Sequence, residues 1–236
     1  MFRRLAPLLC ILAFALLLAA CGDDDESGSS DSGSNAPAET ETKAETTAEE
    51  PAEEGGCQEV DQPEPKPDGG AKPPKGKLDP GKTYQVVLET NCGDITIRLD
   101  QKVSPKTTAS FANLAETGFY DDTFFHRIVP GFVIQGGDPT GTGTGGPGYT
   151  TRDAPPSGAQ YPKYTVAMAK GAQEPSGTSG SQFFVMTGDS GLPPQYAIVG
   201  TVTKGMKVVD AIGELGDPAE QPTQLVLVEK TTVKGP

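Results

Sequence analysis

Phe125-His126-Arg127-Ile128-Val129-Pro130-Gly131-Phe132-Val133-Ile134-Gln135-Gly136-Gly137-Asp138 is the most informative run in the chain. Aromatic and β-branched residues either side of Pro130-Gly131 read as two short strands, Thr123–Val129 and Phe132–Gln135. The run also carries the only His of the chain, His126, next to Arg127. On the C-terminal side, residues 136–163 are too rich in Gly, Pro and Thr for regular structure. A loop that long inside a compact domain is usually functional.

More strands flank this run. Tyr84–Thr90 and Asp94–Leu99 are strand-like, and Asn91-Cys92-Gly93 between them is a hairpin signal. Ser104-Pro105 opens a helix, Ser104 as N-cap and Pro105 at the first position. Phe111, Leu114 and Ala115 share one face of it, and Gly118 closes it. Tyr164–Ala169, Gln182–Thr187, Ala197–Val202 and Leu225–Val233 read as strands, and a second helix is expected near Met206–Ile212. Eight short strands and two helices predict a mainly β fold, a closed eight-stranded antiparallel barrel with two capping helices.

The barrel accounts for residues 81–236 only. Of the 236 residues, 52 are Pro or Gly, 35% are hydrophobic and none is Trp, so a single fold using every residue is not expected. The net charge of −13 excludes the basic face a nucleic-acid binder needs. Most of that charge lies in residues 22–80, which hold 17 Asp/Glu against 5 Lys, whereas residues 81–236 hold 15 against 12.

The N-terminus reads as an export signal over residues 1–20: basic Arg3 and Arg4, then an uncharged apolar run from Leu5 to Ala20. Sixteen residues of helix span about 24 Å, short of a bilayer core. The run ends Leu18-Ala19-Ala20-Cys21, which resembles the lipobox of bacterial lipoproteins, and that resemblance implies lipid attachment at Cys21. Residues 21–80 then read as a tether, acidic and disordered first, Pro/Lys-rich and stiffer over 61–80. Cys57 and Cys92 remain as an even pair in an exported chain, a candidate disulfide. With one His in the chain, no metal site is expected, and no other cofactor.

Two phosphate-binding patterns are decoys. Gly76–Thr83 matches the P-loop spacing but has Pro before and within it and a strand-like run after it. Gly143–Gly148 matches the dinucleotide pattern but is surrounded by helix breakers. Neither can start the helix that cradles phosphate.

The run 125–138 resembles the cyclophilin signature. Gly143-Thr144-Gly145-Gly146, Ala167-Met168-Ala169, Gly180-Ser181-Gln182-Phe183-Phe184, Leu192 and Tyr196-Ala197-Ile198-Val199-Gly200 follow in the family's order, so the likeness covers roughly residues 83–233. It implies an eight-stranded barrel with peptidyl-prolyl cis/trans isomerase activity on proline-containing polypeptides. It places the catalytic Arg at Arg127, and the proline pocket at Phe132, Val133, Phe184, Leu192 and Tyr196. Gln135 and Gln182 are expected to hold the peptide backbone and position Arg127, Gly143 and Ala169 to form the adjoining groove, and His126 to be structural. Val133 stands where Met is common, and Tyr196 where many eukaryotic members have His. The chemistry suits an Arg: no bond breaks, and a donor to the prolyl nitrogen favours the twisted amide over both planar forms. Lys would offer a point charge without the planar fork. Taken together, the sequence describes a monomeric isomerase that assists folding of extracytoplasmic proteins, exported and lipid-anchored on the extracytoplasmic face of a membrane; a non-catalytic proline-binding chaperone or scaffold using the same groove is the alternative.

Overall fold

The computed structural model of the protein describes residues 56–236. The expected signal peptide, Cys21 and the tether as far as residue 55 lie outside the described residues. The order of elements is β1 (Gln85–Thr90), β2 (Gly93–Leu99), α1 (Pro105–Glu116), β3 (Thr123–Phe124), β4 (Arg127–Val129), β5 (Val133–Gly136), β6 (Thr151–Arg152), β7 (Thr165–Met168), β8 (Thr178–Ser179), β9 (Phe183–Met186), β10 (Ile198–Lys204), α2 (Met206–Gly213) and β11 (Leu227–Lys234).

The main sheet is antiparallel, in the order β3-β11-β1-β2-β10-β7-β9-β5-β4, and β6 pairs separately with β8. Its two end strands, β3 and β4, are separated in the chain by Phe125 and His126 alone. Phe125 N–H bonds to the Val226 carbonyl at 3.0 Å, beside β11, so residues 123–129 run as one bent strand bridging β11 to β5. Counted as one, that strand turns the nine-membered order into the expected eight-stranded barrel.

The barrel is filled from strand positions of period two. Val86 and Leu88, Ile95 and Ile97, Ile128, Ile134, Val166 and Met168, and Phe183 and Val185 all point into one core, and Val199 and Val202 join it across the register shift in β10. Helix α1 adds Phe111 and Leu114, and α2 adds Val209 and Ile212. Phe183 is the hub of an aromatic group, its ring 5.3 Å from Phe111, 5.5 Å from Tyr120 and 6.0 Å from Phe125, all edge-on. That arrangement sets positive ring edges against negative ring faces, which is favoured over a face-to-face sandwich.

The start of α1 differs from expectation. Ser104 occupies the N-cap position ahead of Pro105, but its hydroxyl makes no capping bond. The cap comes from the long loop instead: Asp153 Oδ2 accepts from the backbone N–H of Lys106 at 2.8 Å and of Thr107 at 2.7 Å. A carboxylate there satisfies two orphan donors and complements the positive end of the helix, so the neutral hydroxyl is not needed. Gly118 ends the helix at φ +70°, as expected.

Residues 56–80 also correct the reading. The part expected as a Pro/Lys-rich spacer lies against the barrel as a strap. Lys66 N–H bonds to Pro139 O at 2.9 Å, Gly69 N–H to Gly146 O at 2.9 Å and Ala71 N–H to Pro147 O at 3.1 Å. Asp68 accepts from Gly146 N–H at 2.8 Å. Gly69 and Gly70 both have left-handed φ, and a Cβ on the facing Gly148 would stand 3.1 Å from Gly69 Cα, so glycine lets the two backbones meet. The Lys66 ammonium donates to the carbonyls of Gly118 and Asp121, just after α1. Composition misjudges the segment because much of its stabilisation comes from backbone bonding to a distant loop, and its few apolar side chains, Ala71 and Leu78, pack against the core. Cys57, at its start, is bonded to Cys92 in the β1–β2 turn. The P-loop-like run 76–83 is an Asp79-centred turn, Gly81 N–H to Asp79 Oδ1 at 2.8 Å, and leads into a strand.

Candidate active site

The same alternation that fills the barrel gives β4, β5, β9 and β7 a second, outer face. Their pairing aligns Arg127, Gln135, Phe184 and Ala167 in one cross-strand row, and Val129, Val133 and Met186 in the next. Apolar residues of this face form a cluster separate from the core: Val133, Tyr161, Ala167, Phe184 and Met186 are buried, with Phe132, Ala169, Leu192 and Tyr196 packed against them and half-exposed. Buried Val133 and Phe184 make a floor, and half-exposed Phe132, Leu192 and Tyr196 make walls with surface left for a ligand. The Tyr196 ring stands edge-on to Phe184 at 5.5 Å.

Polar residues border the cluster as a continuous chain. Arg127 Nη1 donates to Gln135 Oε1 at 3.2 Å, and Gln135 Nε2 to Gln182 Oε1 at 3.1 Å. Gln182 Nε2 donates to the carbonyls of Gly143 and Gly145, each at 3.0 Å. Ala169 N–H bonds to Gln182 O at 2.9 Å, which brings Ala169 to the same edge. All ten residues expected to act on substrate thus meet on one face.

The loop that carries Gly143 is built around Asp138, 1% exposed. Its carboxylate accepts from the N–H groups of Thr140, Gly143 and Gly145 and from the Thr140 hydroxyl. Burial pushes the Asp138 carboxyl up, but these bonds outweigh it and hold the carboxyl below its ordinary value. The carboxylate therefore holds the loop at neutral pH, and that contribution is lost only as pH falls through the lowered value. A Cβ on Gly145 would collide with Asp138 Oδ1, which explains glycine there.

His126 is half-buried beside Arg127 and makes no side-chain hydrogen bond among the described residues. Burial, and then the neighbouring Arg127 charge, lower its pKa against the opposing pull of Asp138. It stands beneath Gly143, where a Cβ would lie 3.7 Å from the imidazole.

Two contributors escaped the sequence reading. Tyr161 OH donates to Tyr196 O at 2.8 Å and accepts from Tyr196 N–H at 3.1 Å, so it fixes the backbone of one wall. Glu220 Oε2 accepts from Arg127 Nε at 2.7 Å. No local pattern marks either, because each is defined by a partner 35 or 93 positions away.

The sequence model of the family described as cyclophilin type peptidyl-prolyl cis-trans isomerase/CLD matches residues 85–233. The chain belongs to this family. Its barrel is a cyclophilin fold, and its activity is peptidyl-prolyl cis-trans isomerisation. The probable peptidyl-prolyl cis-trans isomerase A of Mycobacterium leprae is 42% identical over 166 residues, 62% of this chain and 90% of that protein. Peptidyl-prolyl cis-trans isomerase B of Streptomyces anulatus is 41% identical over 169 residues, 62% of this chain and 94% of that protein. Among solved structures, a cyclophilin type isomerase of Cryptosporidium parvum superposes with a TM-score of 0.59 at 32% identity, covering 64% of this chain and 98% of that one. The same Cryptosporidium protein, solved in the presence of the dipeptide Ala-Pro, matches with a TM-score of 0.59 at 30% identity. The cyclophilin domain occupies most of the described chain here, and the strap is added to its N-terminal side.

Proposed function

We propose that this cyclophilin isomerises X–Pro bonds by Arg127-assisted rotation, and does so outside the cytoplasm as a monomer anchored by lipid at Cys21. The observation that carries the mechanism is the state of the Arg127 guanidinium. Of its five N–H donors, one is held by Glu220 and one by Gln135. The other donors make no hydrogen bond among the described residues, and Arg127 shares its cross-strand row with Gln135 and Phe184, on the face that carries the cluster of Phe132, Val133, Phe184, Leu192 and Tyr196. A proline ring seated on that cluster brings its amide to the guanidinium. Twisting the amide localises the lone pair on the prolyl nitrogen, and a donor there stabilises the twisted form while doing little for the planar ones. Gln135 and Gln182 hold the flanking peptide. The reaction needs no proton transfer, and burial lowers the His126 pKa, which favours its neutral form.

Differential binding of this kind has a direct test. An X–Pro mimic with a pyramidal ring nitrogen should bind at least about tenfold more tightly than the planar peptide of the same sequence, since transition-state mimics gain what the ground state lacks. Equal affinity, measured by calorimetry, would remove the proposed mechanism.

The location rests on two features. Leu18-Ala19-Ala20-Cys21 has the residues a lipoprotein-processing groove accepts. The Cys57–Cys92 disulfide suits an oxidising compartment. Stable anchoring needs more than one acyl chain, so metabolic labelling with a fatty acid should mark the parent chain and leave Cys21→Ser unmarked. A parent chain without label, and with its mature N-terminus elsewhere, overturns the anchor and leaves the isomerase chemistry untouched.

A further inference from the structure

Glu220 stands in a backbone conformation that a residue with a side chain rarely adopts, at φ +63°. The loop around it is closely tied. Asp217 Oδ1 accepts from Ala219 N–H and Gln221 N–H, each at 2.8 Å. Asp217 N–H bonds to Gln221 O, and Glu220 N–H to Asp217 O, each at 2.9 Å. The Glu220 carbonyl accepts from Ile128 N–H at 3.0 Å, which pins this turn to β4 beside Arg127. A glycine would adopt the same φ without strain.

The ion pair does not repay that strain in stability. The side chains of Arg127 and Glu220 are 33% and 47% exposed, and pairs open to water to that degree contribute little. Left-handed backbone at a non-glycine residue costs free energy that the surroundings must impose, and such residues concentrate at functional sites. The geometry supplies the use. Gln135 fixes one Nη along the cross-strand row, and Glu220 fixes Nε. Two bonds at different corners of a planar guanidinium stop it turning about its stem, where one bond would not.

We propose that Glu220 is a positioning residue: it holds the Arg127 guanidinium in its working orientation, at a cost to the stability of the 214–223 turn. The proposal rests on the reading of Arg127 as the catalytic donor. Holding a donor in line raises the rate of the twisting step and adds no contact to the planar peptide. Loss of Glu220 should therefore appear in kcat and not in KM.

Four variants, measured for X–Pro isomerisation and thermal unfolding, test it: Glu220→Gly, Glu220→Gln, Arg127→Ala and the Arg127→Ala, Glu220→Gln double variant. Glu220→Gly should lower kcat about tenfold with KM unchanged, while Tm rises by about 2–4 °C as the strained φ is relieved. Glu220→Gln keeps an acceptor for Nε and should retain part of the rate. In an Arg127→Ala background, Glu220→Gln should have no further effect, because residues that act as a unit are not additive. Unchanged kcat in Glu220→Gly overturns the proposal, and so does an equal loss from Glu220→Gln with and without Arg127. If Arg127→Ala alone is fully active, the mechanism itself fails. If Arg127→Ala is crippled and Glu220→Gly is not, the mechanism stands and only the positioning role falls.

Discussion

Arg127→Ala should lower kcat/KM by about 10²–10³, equivalent to roughly 3–4 kcal/mol of transition-state stabilisation. The size follows from what the guanidinium does. It donates to a nitrogen whose lone pair is available only when the amide is twisted, so nearly all of its interaction belongs to the transition state. The rest of the groove survives the substitution. Phe132, Val133, Phe184, Leu192 and Tyr196 belong to one apolar cluster that holds together without Arg127. The variant should keep its fold, because Arg127 lies on the outer face of β4 while Ile128, on the inner face, carries the core contact. Peptide affinity should change little, so the loss falls on kcat. A folded variant that turns over within twofold of the parent would show that shape and desolvation in the groove, not the arginine, lower the barrier. Arg127→Lys separates charge from geometry: a point charge without the planar fork should recover only part of the rate.

How much of this could be read beforehand depended on the range of the interaction concerned. Strands were legible as short β-branched and aromatic runs between turn residues, and within them successive side chains go to opposite faces. Phe183 and Val185 go to the core while Phe184 and Met186 go to the groove, and that period is local. Closure of the barrel was legible as well, since Thr123–Val129 reads as one run even though its middle leaves the ladder at Phe125 and His126. The groove was legible through its likeness to a family. What escaped were interactions whose partner is far along the chain. Ser104 has the right residue type for a cap, yet Asp153 takes the role because a charged acceptor brought in by the loop outbids a hydroxyl. Glu220 sits in a turn whose left-handed φ would suggest glycine, and nothing nearby announces that its side chain belongs to Arg127. The strap illustrates the same limit for backbone groups. Its prolines and lysines describe a spacer, whereas its free N–H groups at Lys66, Gly69 and Ala71 find carbonyls on the 139–147 loop.

Breaking the Cys57–Cys92 bond should cost the domain up to roughly 3–4 kcal/mol, the chain-entropy value for a loop of this length. The bond closes 35 positions of sequence, from the start of the strap to the β1–β2 turn. It constrains the unfolded chain most, because in the folded state other contacts already place its two ends together. Gln58 N–H bonds to Asn91 O at 2.8 Å, Asn91 Nδ2 donates to Gln58 O at 2.6 Å, and Gln224 Nε2 donates to Cys57 O at 2.9 Å. For a described domain of this size the loss corresponds to a fall in Tm of roughly 10 °C. A second outcome distinguishes a staple from an ornament. Without the bond the strap can fray while the barrel persists, so amide exchange should accelerate first at Gly69, Ala71 and Gly146, whose N–H groups tie the strap to the loop. Core amides of β9 should exchange only with global unfolding. The comparison uses the oxidised chain and the Cys57→Ser, Cys92→Ser double variant, with mass spectrometry confirming that the oxidised form lies two mass units below its dithiol. Equal Tm and equal exchange at Gly146 in the two proteins would mean that the backbone bonds alone hold the strap. A fall in Tm with exchange at Gly146 unchanged would confine the effect of the disulfide to the unfolded chain.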